Sequence, residues 1–320
     1  MLQILSITAP IYLIIAAGFL SVRNGLFSKP DMRVLGRFVV NFCLPALIFN
    51  AVSKRPLAEV LNGPYLLAYA GGSLAVVLVA MLVGRRLRQH SMPLATMQSL
   101  GMAASNSGFV GYPIVLQLLG PTAGVALALT LLVENLLVLP LCFAMADNHG
   151  QDAAQRWHHT LQISLRNLLK NPLVLAIVAG FGCAVLGLHL PAVLAHTVQI
   201  VATASSPVAL FVIGGSLVGL KLAGVRRDLA WVATGKLLLH PLAVFTLLWL
   251  LPPTLYVAPE LRIAAVLFAA MPMLSIYPVV AQKYGLEGFT AAALLVTTVA
   301  SFFSISGLLW AMHHLLGWTA

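Results

Sequence analysis

Charge is what this chain has least of. Only 8% of its 320 residues are Asp, Glu, Lys or Arg, against about 25% in an ordinary soluble domain, while 60% are apolar. That scarcity excludes a water-facing globular surface and makes an all-α integral membrane protein the expected fold class. Acidic residues are the scarcest, 8 against 18 Lys and Arg, for a net charge of +10. In a soluble chain such an excess would suggest nucleic acid. Here the basic residues fall between apolar runs, so orientation in a lipid bilayer accounts for them and no nucleic-acid partner is expected. Cysteine is nearly missing: Cys43, Cys142 and Cys183 lie in apolar stretches without CxxC spacing, which indicates neither a disulfide framework nor a metal site. The pairs His158-His159 and His313-His314 have no carboxylate or cysteine partner in sequence, so no metal is expected there either. Also lacking are GxxxxGK[ST], HExxH, paired membrane aspartates and a nucleophile beside a base. Without them ATP-driven pumping, intramembrane proteolysis and lipid transfer lose their chemistry, and neither an enzyme nor a cofactor is expected.

What is abundant is apolar sequence in runs of about 20 residues, the length that crosses a bilayer. Ten such spans are expected, near 4–22, 36–53, 64–84, 97–119, 122–146, 172–188, 193–220, 230–250, 261–284 and 288–312. The first, MLQILSITAPIYLIIAAGFL, has no basic segment before it and no small-residue cleavage site, and is read as a retained span. Of the eighteen basic residues, fifteen fall in the odd-numbered connections and only Lys54, Arg55 and Arg262 in the even ones. By the positive-inside rule both termini lie outside, which for a bacterial inner membrane means periplasmic.

Two spans carry interruptions. Residues 101–120, GMAASNSGFVGYPIVLQLLG, hold Asn106, Ser107, Gly108, Gly111 and Pro113 at their centre. Residues 277–285 read YPVVAQKYG against YPIVLQLLG at 112–120, so that Tyr112, Pro113, Val115, Gln117 and Gly120 recur 165 residues later. Five spans per half is an odd number, which inverts the second half: residues 1–146 and 171–320 are expected as two inverted five-helix repeats joined by a cytoplasmic linker, 147–170. The linker's second part places Leu161, Leu165, Leu168 and Leu169 on one face, suited to the membrane surface. Broken helices in lipid are tolerated where freed backbone groups face protein or a watery cavity, and two in corresponding halves point to a secondary transporter's site.

These residues resemble the auxin efflux carrier family. RFVVNFCLPALIFNAVS at 37–53 is similar to its second span, Asn106, Gly111, Pro113 and Gly120 to its fourth, and MPMLSIYPVVAQKYG at 271–285 to its ninth, where Pro272 and Pro278 both stand as candidates for the crossover. The resemblance implies that helices 4 and 9 cross at their breaks at mid-membrane. It also implies a scaffold of helices 1, 2, 6 and 7, transport helices 3–5 and 8–10, an elevator-like cycle and a homodimer through the scaffold. The short linker resembles the bacterial branch, and MPMLSIYP the malonate transporters.

The open end of a broken helix presents unpaired N–H groups and a dipole that favours anions. A substrate carboxylate is therefore expected on amides near Gly111 to Ile114 and Tyr277 to Val279, with Asn106, Ser107 and Ser275 as donors and with Pro113 and Pro278 shaping the ends. No cationic residue interrupts span 4, and none interrupts span 9 between Arg262 at its start and Lys283 at its end. Asn41 and Asn50 flank Pro45; interhelical bonding and substrate contact both stand open, with Asn41 kept among the substrate-binding candidates. Ser205 and Ser206 take the matching place in the seventh span, as a wall of the path. Glu134 is the one carboxylate well inside a span, a candidate for carrying a coupling proton or for a bond to a facing helix. His240 is deep enough to titrate or to pack, while Lys236 is expected to snorkel to the cytoplasm. The function expected is secondary transport of a small organic carboxylate. An exporter of an auxin-like aromatic monocarboxylate and an anion channel are the alternatives.

Overall fold

The computed structural model describes residues 2–54, 62–147, 170–219 and 226–315. Among them every regular element is helical. The expected linker face at Leu161 to Leu169 lies outside the described residues, as does the His158-His159 pair.

In chain order the helices are α1 (Leu2–Arg23), α2 (Lys29–Ser53), α3 (Gly63–Leu87), α4a (Met92–Ala103), α4b (Ser107–Leu119), α5 (Thr122–Asp147), α6 (Pro172–Leu186), α7 (Ala192–Ser216), α8 (Arg226–Leu250), α9a (Pro259–Ala270), α9b (Tyr277–Ala281) and α10 (Glu287–Leu315). Six of them, α2, α3, α5, α7, α8 and α10, are long and apolar enough to cross a membrane. A helix of 25 residues is about 38 Å long, against a hydrocarbon core of about 30 Å. Large apolar side chains such as Leu13, Leu78, Val178, Val193, Trp249 and Phe303 are exposed, a surface that suits lipid rather than water.

Starts and stops are written locally. Ser28 and Asp31 close a capping box on α2, and Asn62, Ser91 and Asn171 accept from amides two or three residues on, with proline in the first turn of each helix they cap. These side chains satisfy amides the first turn leaves unpaired. Gly120, Gly187 and Gly285 take positive φ at three ends, where a Cβ would be strained.

Proline has a second use within the spans. The widened π-turns Val39–Cys43, Ser107–Gly111, Glu134–Val138 and Gly235–Leu239 each end two residues before a proline, Pro45, Pro113, Pro140 and Pro241. Proline lacks the N–H for the bond four residues back and its ring crowds that carbonyl, so the ladder slips by one residue and the helix continues. The slip rotates the preceding residues around the helix axis. Ser107, Glu134 and Lys236 all lie in such turns.

Packing pairs the two halves of the chain. α1 runs along Ser205–Ser216 of α7, and α6 along Leu44–Ser53 of α2, so each contact joins the first helix of one half to the second helix of the other. The third helices, α3 and α8, lie against each other, with α4a, α9a and the long α5 and α10 around them. The α1–α7 contact depends on missing side chains: a Cβ on Gly214 would sit 1.8 Å from the Ile15 carbonyl oxygen, and one on Gly18 2.0 Å from that of Phe211. Small residues let backbones approach where lipid supplies no hydrophobic drive between helices. Gly214→Leu is expected to cost at least about 1–3 kcal/mol by overpacking, read as a lower Tm of the detergent-purified protein; an unchanged Tm would contradict the contact.

Candidate functional site

The two interrupted helices meet at their interruptions. α4 unwinds over residues 104–106 and α9 over 271–276. There the chains run antiparallel as a single β-bridge, Ser105 with Met273. The Asn106 N–H donates to the Pro272 carbonyl at 2.7 Å, and Asn106 Nδ2 to Ser275 Oγ at 2.8 Å. Each unwound strand thus answers part of the backbone demand that the other creates. Residues 105–107, Ser-Asn-Ser, favour such a break because their side chains compete for backbone partners. Of the two candidate prolines, Pro272 lies in the crossing and Pro278 in the first turn of α9b.

The structure moves the expected amide cradle. Val110 and Gly111 donate to the Asn106 carbonyl at 3.1 and 3.0 Å, Tyr112 to Ser107, and Tyr277 to Leu274 at 3.1 Å. These amides are taken up because the helix restarts at Ser107, before the proline. The open end of α4b is therefore Ser107, Gly108 and Phe109. α9b has only five residues before a 3-10 turn, Gln282–Tyr284, so the second cradle expected at Tyr277 to Val279 is not matched by a comparable helix.

The other candidates separate by role. Gly111 is a close-approach position: a Cβ there would lie 2.8 Å from Phe268 Cδ1. Pro113 is buried and sets the turn that precedes it. Tyr277 is buried and donates through its hydroxyl to the Met97 carbonyl at 2.6 Å, tying α9b to α4a. Asn41 is not brought to the crossing; it is exposed and donates to the Arg37 carbonyl at 2.8 Å. Asn50 bonds Gln199 of α7 at 2.6 Å, an interhelical contact. Ser205 is buried and donates to the Ala202 carbonyl, but its helical stretch packs on Ser107–Gly111.

Behind the crossing lies a buried polar cluster, in which Ser105, Tyr69 and Ser73 join the Ser107, Glu134, Lys236 and His240 of the sequence. Glu134 Oε1 accepts from the Ser105 N–H at 2.9 Å, Ser107 Oγ at 3.1 Å and Tyr69 Oη at 3.3 Å. Lys236 does not snorkel. It is fully buried and its Nζ donates to Ser105 Oγ at 2.6 Å, with His240 Nδ1 at 2.8 Å. His240 Nε2 faces Ser73 Oγ at 3.0 Å. A cation thus reaches the crossing from α8, although α4 carries none and those of the ninth helix, Arg262 and Lys283, stand at its two ends. The readable signal was an ionisable residue one turn before another inside an apolar run, with Pro241 just beyond. Among the described residues no group of His, Cys, Asp and Glu could hold a metal.

Interrupted apolar helices that meet within an all-helical, multi-pass membrane protein define a membrane transport protein. Residues 4–310 match the family model described as membrane transport protein, and the chain belongs to that family, the auxin efflux carriers. It is 30% identical over 311 residues to a "putative malonate transporter" of Rhizobium meliloti (strain 1021), covering 97% of this chain and 96% of that one. It is 24% identical over 305 residues to the "uncharacterized transporter YfdV" of Escherichia coli (strain K12), with 92% of each covered. A "lysosomal cholesterol signaling protein" of Mus musculus is 25% identical over 249 residues, 72% of this chain but 28% of that protein.

Tyr277→Phe is expected to destabilise the fold by about 0.5–1.5 kcal/mol, because it removes the buried hydroxyl bond that ties α9b to the Met97 carbonyl of α4a. Thermal unfolding in detergent checks this, and an unchanged midpoint would show the bond to be dispensable.

Proposed function

We propose that this chain is a secondary carrier of a small organic carboxylate, malonate or a related anion, in the bacterial inner membrane. In this reading ten spans form two inverted five-helix repeats with both termini periplasmic. α1, α2, α6 and α7 are the scaffold and the homodimer contact, and α3–α5 with α8–α10 move as the transport part of an elevator-like cycle. Support comes from the 165-residue sequence repeat, the one-sided basic loops, the exchange-related contacts α1–α7 and α6–α2, and the malonate named for the Rhizobium relative.

The observation that carries the proposal is the open end of α4b at the crossing. The amides of Ser107, Gly108 and Phe109 and the dipole of a 13-residue helix offer a carboxylate hydrogen bonds where water is scarce, next to the Asn106–Ser275 pair. A dicarboxylate and an auxin-like monocarboxylate would present the same group to it. Glu134, bonded to Ser107, stands where a coupling proton would sense the anion.

Reconstituted protein should exchange labelled malonate for internal malonate with saturation, whereas a channel would pass current without exchange. Asn106→Ala, which removes the side-chain tie to Ser275 and perturbs the restart of α4b, is expected to reduce that exchange by about tenfold, or 1.4 kcal/mol, at near-normal protein levels. Pro113→Ala, which removes the cause of the π-turn, should act in the same direction. Wild-type rates in both variants would remove the site from this place.

A further inference from the structure

We infer that Glu134, Lys236 and His240 form one proton-holding unit beneath the crossing, bridged by Ser105, and that this unit makes the proton the ion carried with the anion. The inference rests on the carboxylate-carrier reading above. Ser105 is the hinge of the arrangement. Its N–H holds Glu134 Oε1, its hydroxyl accepts from Lys236, and its backbone is the half of the β-bridge that faces Met273. Tyr69 Oη, 3.3 Å from Glu134 Oε1 and 3.5 Å from Ser105 Oγ, completes a hydroxyl path from the ammonium through Ser105 Oγ to the carboxyl. Glu134 Oε2 is buried and has no hydrogen-bond partner, so it is the oxygen free to take a proton.

Charge accounting makes the three groups one unit. They are the buried Glu, Lys and His side chains among the described residues, with Tyr69 and Tyr65 of α3 as the neighbouring titratable side chains. Of the helices around them, α4a and α4b carry no charged side chain, and those of α9a and α10, Glu260, Arg262 and Glu287, lie exposed in the first turns of their helices. A lone charge at this depth is strongly unfavourable, and removing one member of a buried pair leaves the other uncompensated. With Glu134 ionised, Lys236 charged and His240 neutral, the unit is neutral; it is also neutral if the Lys236 proton passes through the hydroxyls of Ser105 and Tyr69 to Glu134. One further proton gives a charge of +1, which a carboxylate at the Ser107 end of α4b offsets.

The step is a plain proton transfer. A proton from water on the side to which the cycle exposes the anion site bonds to Glu134 Oε2 through an oxygen lone pair as the anion binds, and leaves to water on the opposite side as the anion departs. His240, between Lys236 and Ser73, fixes which proton Lys236 shares: it accepts on Nδ1 when Ser73 accepts from Nε2, and donates from Nδ1 when Ser73 donates to Nε2. Malonate is the probe because a relative's name carries it.

The test is a cycle of Glu134→Gln, Lys236→Met and the double variant. Unfolding in detergent should show lower Tm for each single variant and a recovered Tm for the double, since the two neutralised sites no longer oppose an unpaired charge. Simple addition of the two losses would overturn the unit. In proteoliposomes, the ratio of labelled malonate uptake with acid outside to uptake at equal pH should be several-fold for wild type and fall to unity in the double variant. A ratio of unity in wild type, or a preserved ratio in the double variant, would overturn the proton as the carried ion. Absence of malonate exchange from wild type would count against the carrier reading instead, and the Tm cycle would still decide whether Glu134 and Lys236 act together.

Discussion

The demand that every peptide group be hydrogen-bonded where no water is at hand governs this molecule. A helix meets it alone. Unwinding two helices at residues 104–106 and 271–276 breaks that self-sufficiency, and the structure restores it by placing the two gaps side by side. The Asn106 amide on the Pro272 carbonyl and the Ser105–Met273 bridge are the outcome. One interrupted helix would leave groups unmet; two can answer each other.

The same demand, set against proline, explains the local geometry around the crossing. Pro113, Pro140 and Pro241 would each leave a gap in an α-helix, and each is preceded by a π-turn that keeps the helix whole. Those turns present Ser107, Glu134 and Lys236, which converge on Ser105 directly or through Glu134. Backbone accommodation and the placing of the polar groups are thus one event. Side chains of Tyr277 and Tyr69 then fix the broken segments to their neighbours, while Gly214, Gly18 and Gly111 let the surrounding backbones close in.

Much of this was legible in the residues. The scarcity of charge and the length of the apolar runs pointed to the membrane class, and the Asn, Ser, Gly and Pro residues within two of those runs to the breaks. Asn106 and Ser275, expected at the breaks, are in hydrogen-bond contact, with Ser107 next to Asn106 in the chain. What could not be read was rotation. Gly111 and Pro113 suggested an amide end at the proline, but the π-turn moves the restart to Ser107. Lys236 looked like a residue near the cytoplasmic edge; the turn Gly235–Leu239 directs it inward to Ser105. Asn41 shares a helix with Pro45, yet it faces outward. Sequence reports which helix a residue occupies, whereas the direction it faces depends on a one-residue slip in the hydrogen-bond ladder.

The most direct measurement of the central claim is a disulfide cross-link across the crossing. Ser105→Cys and Met273→Cys, placed together after Cys43, Cys142 and Cys183 are replaced by Ser, should join on mild oxidation in native membranes, since bridged residues hold their Cβ atoms about 4.5–5.5 Å apart. Proteolysis between the halves would then leave one linked species on a non-reducing gel. Failure to link, with control pairs on the α1–α7 contact linking normally, would show that the two interruptions do not meet.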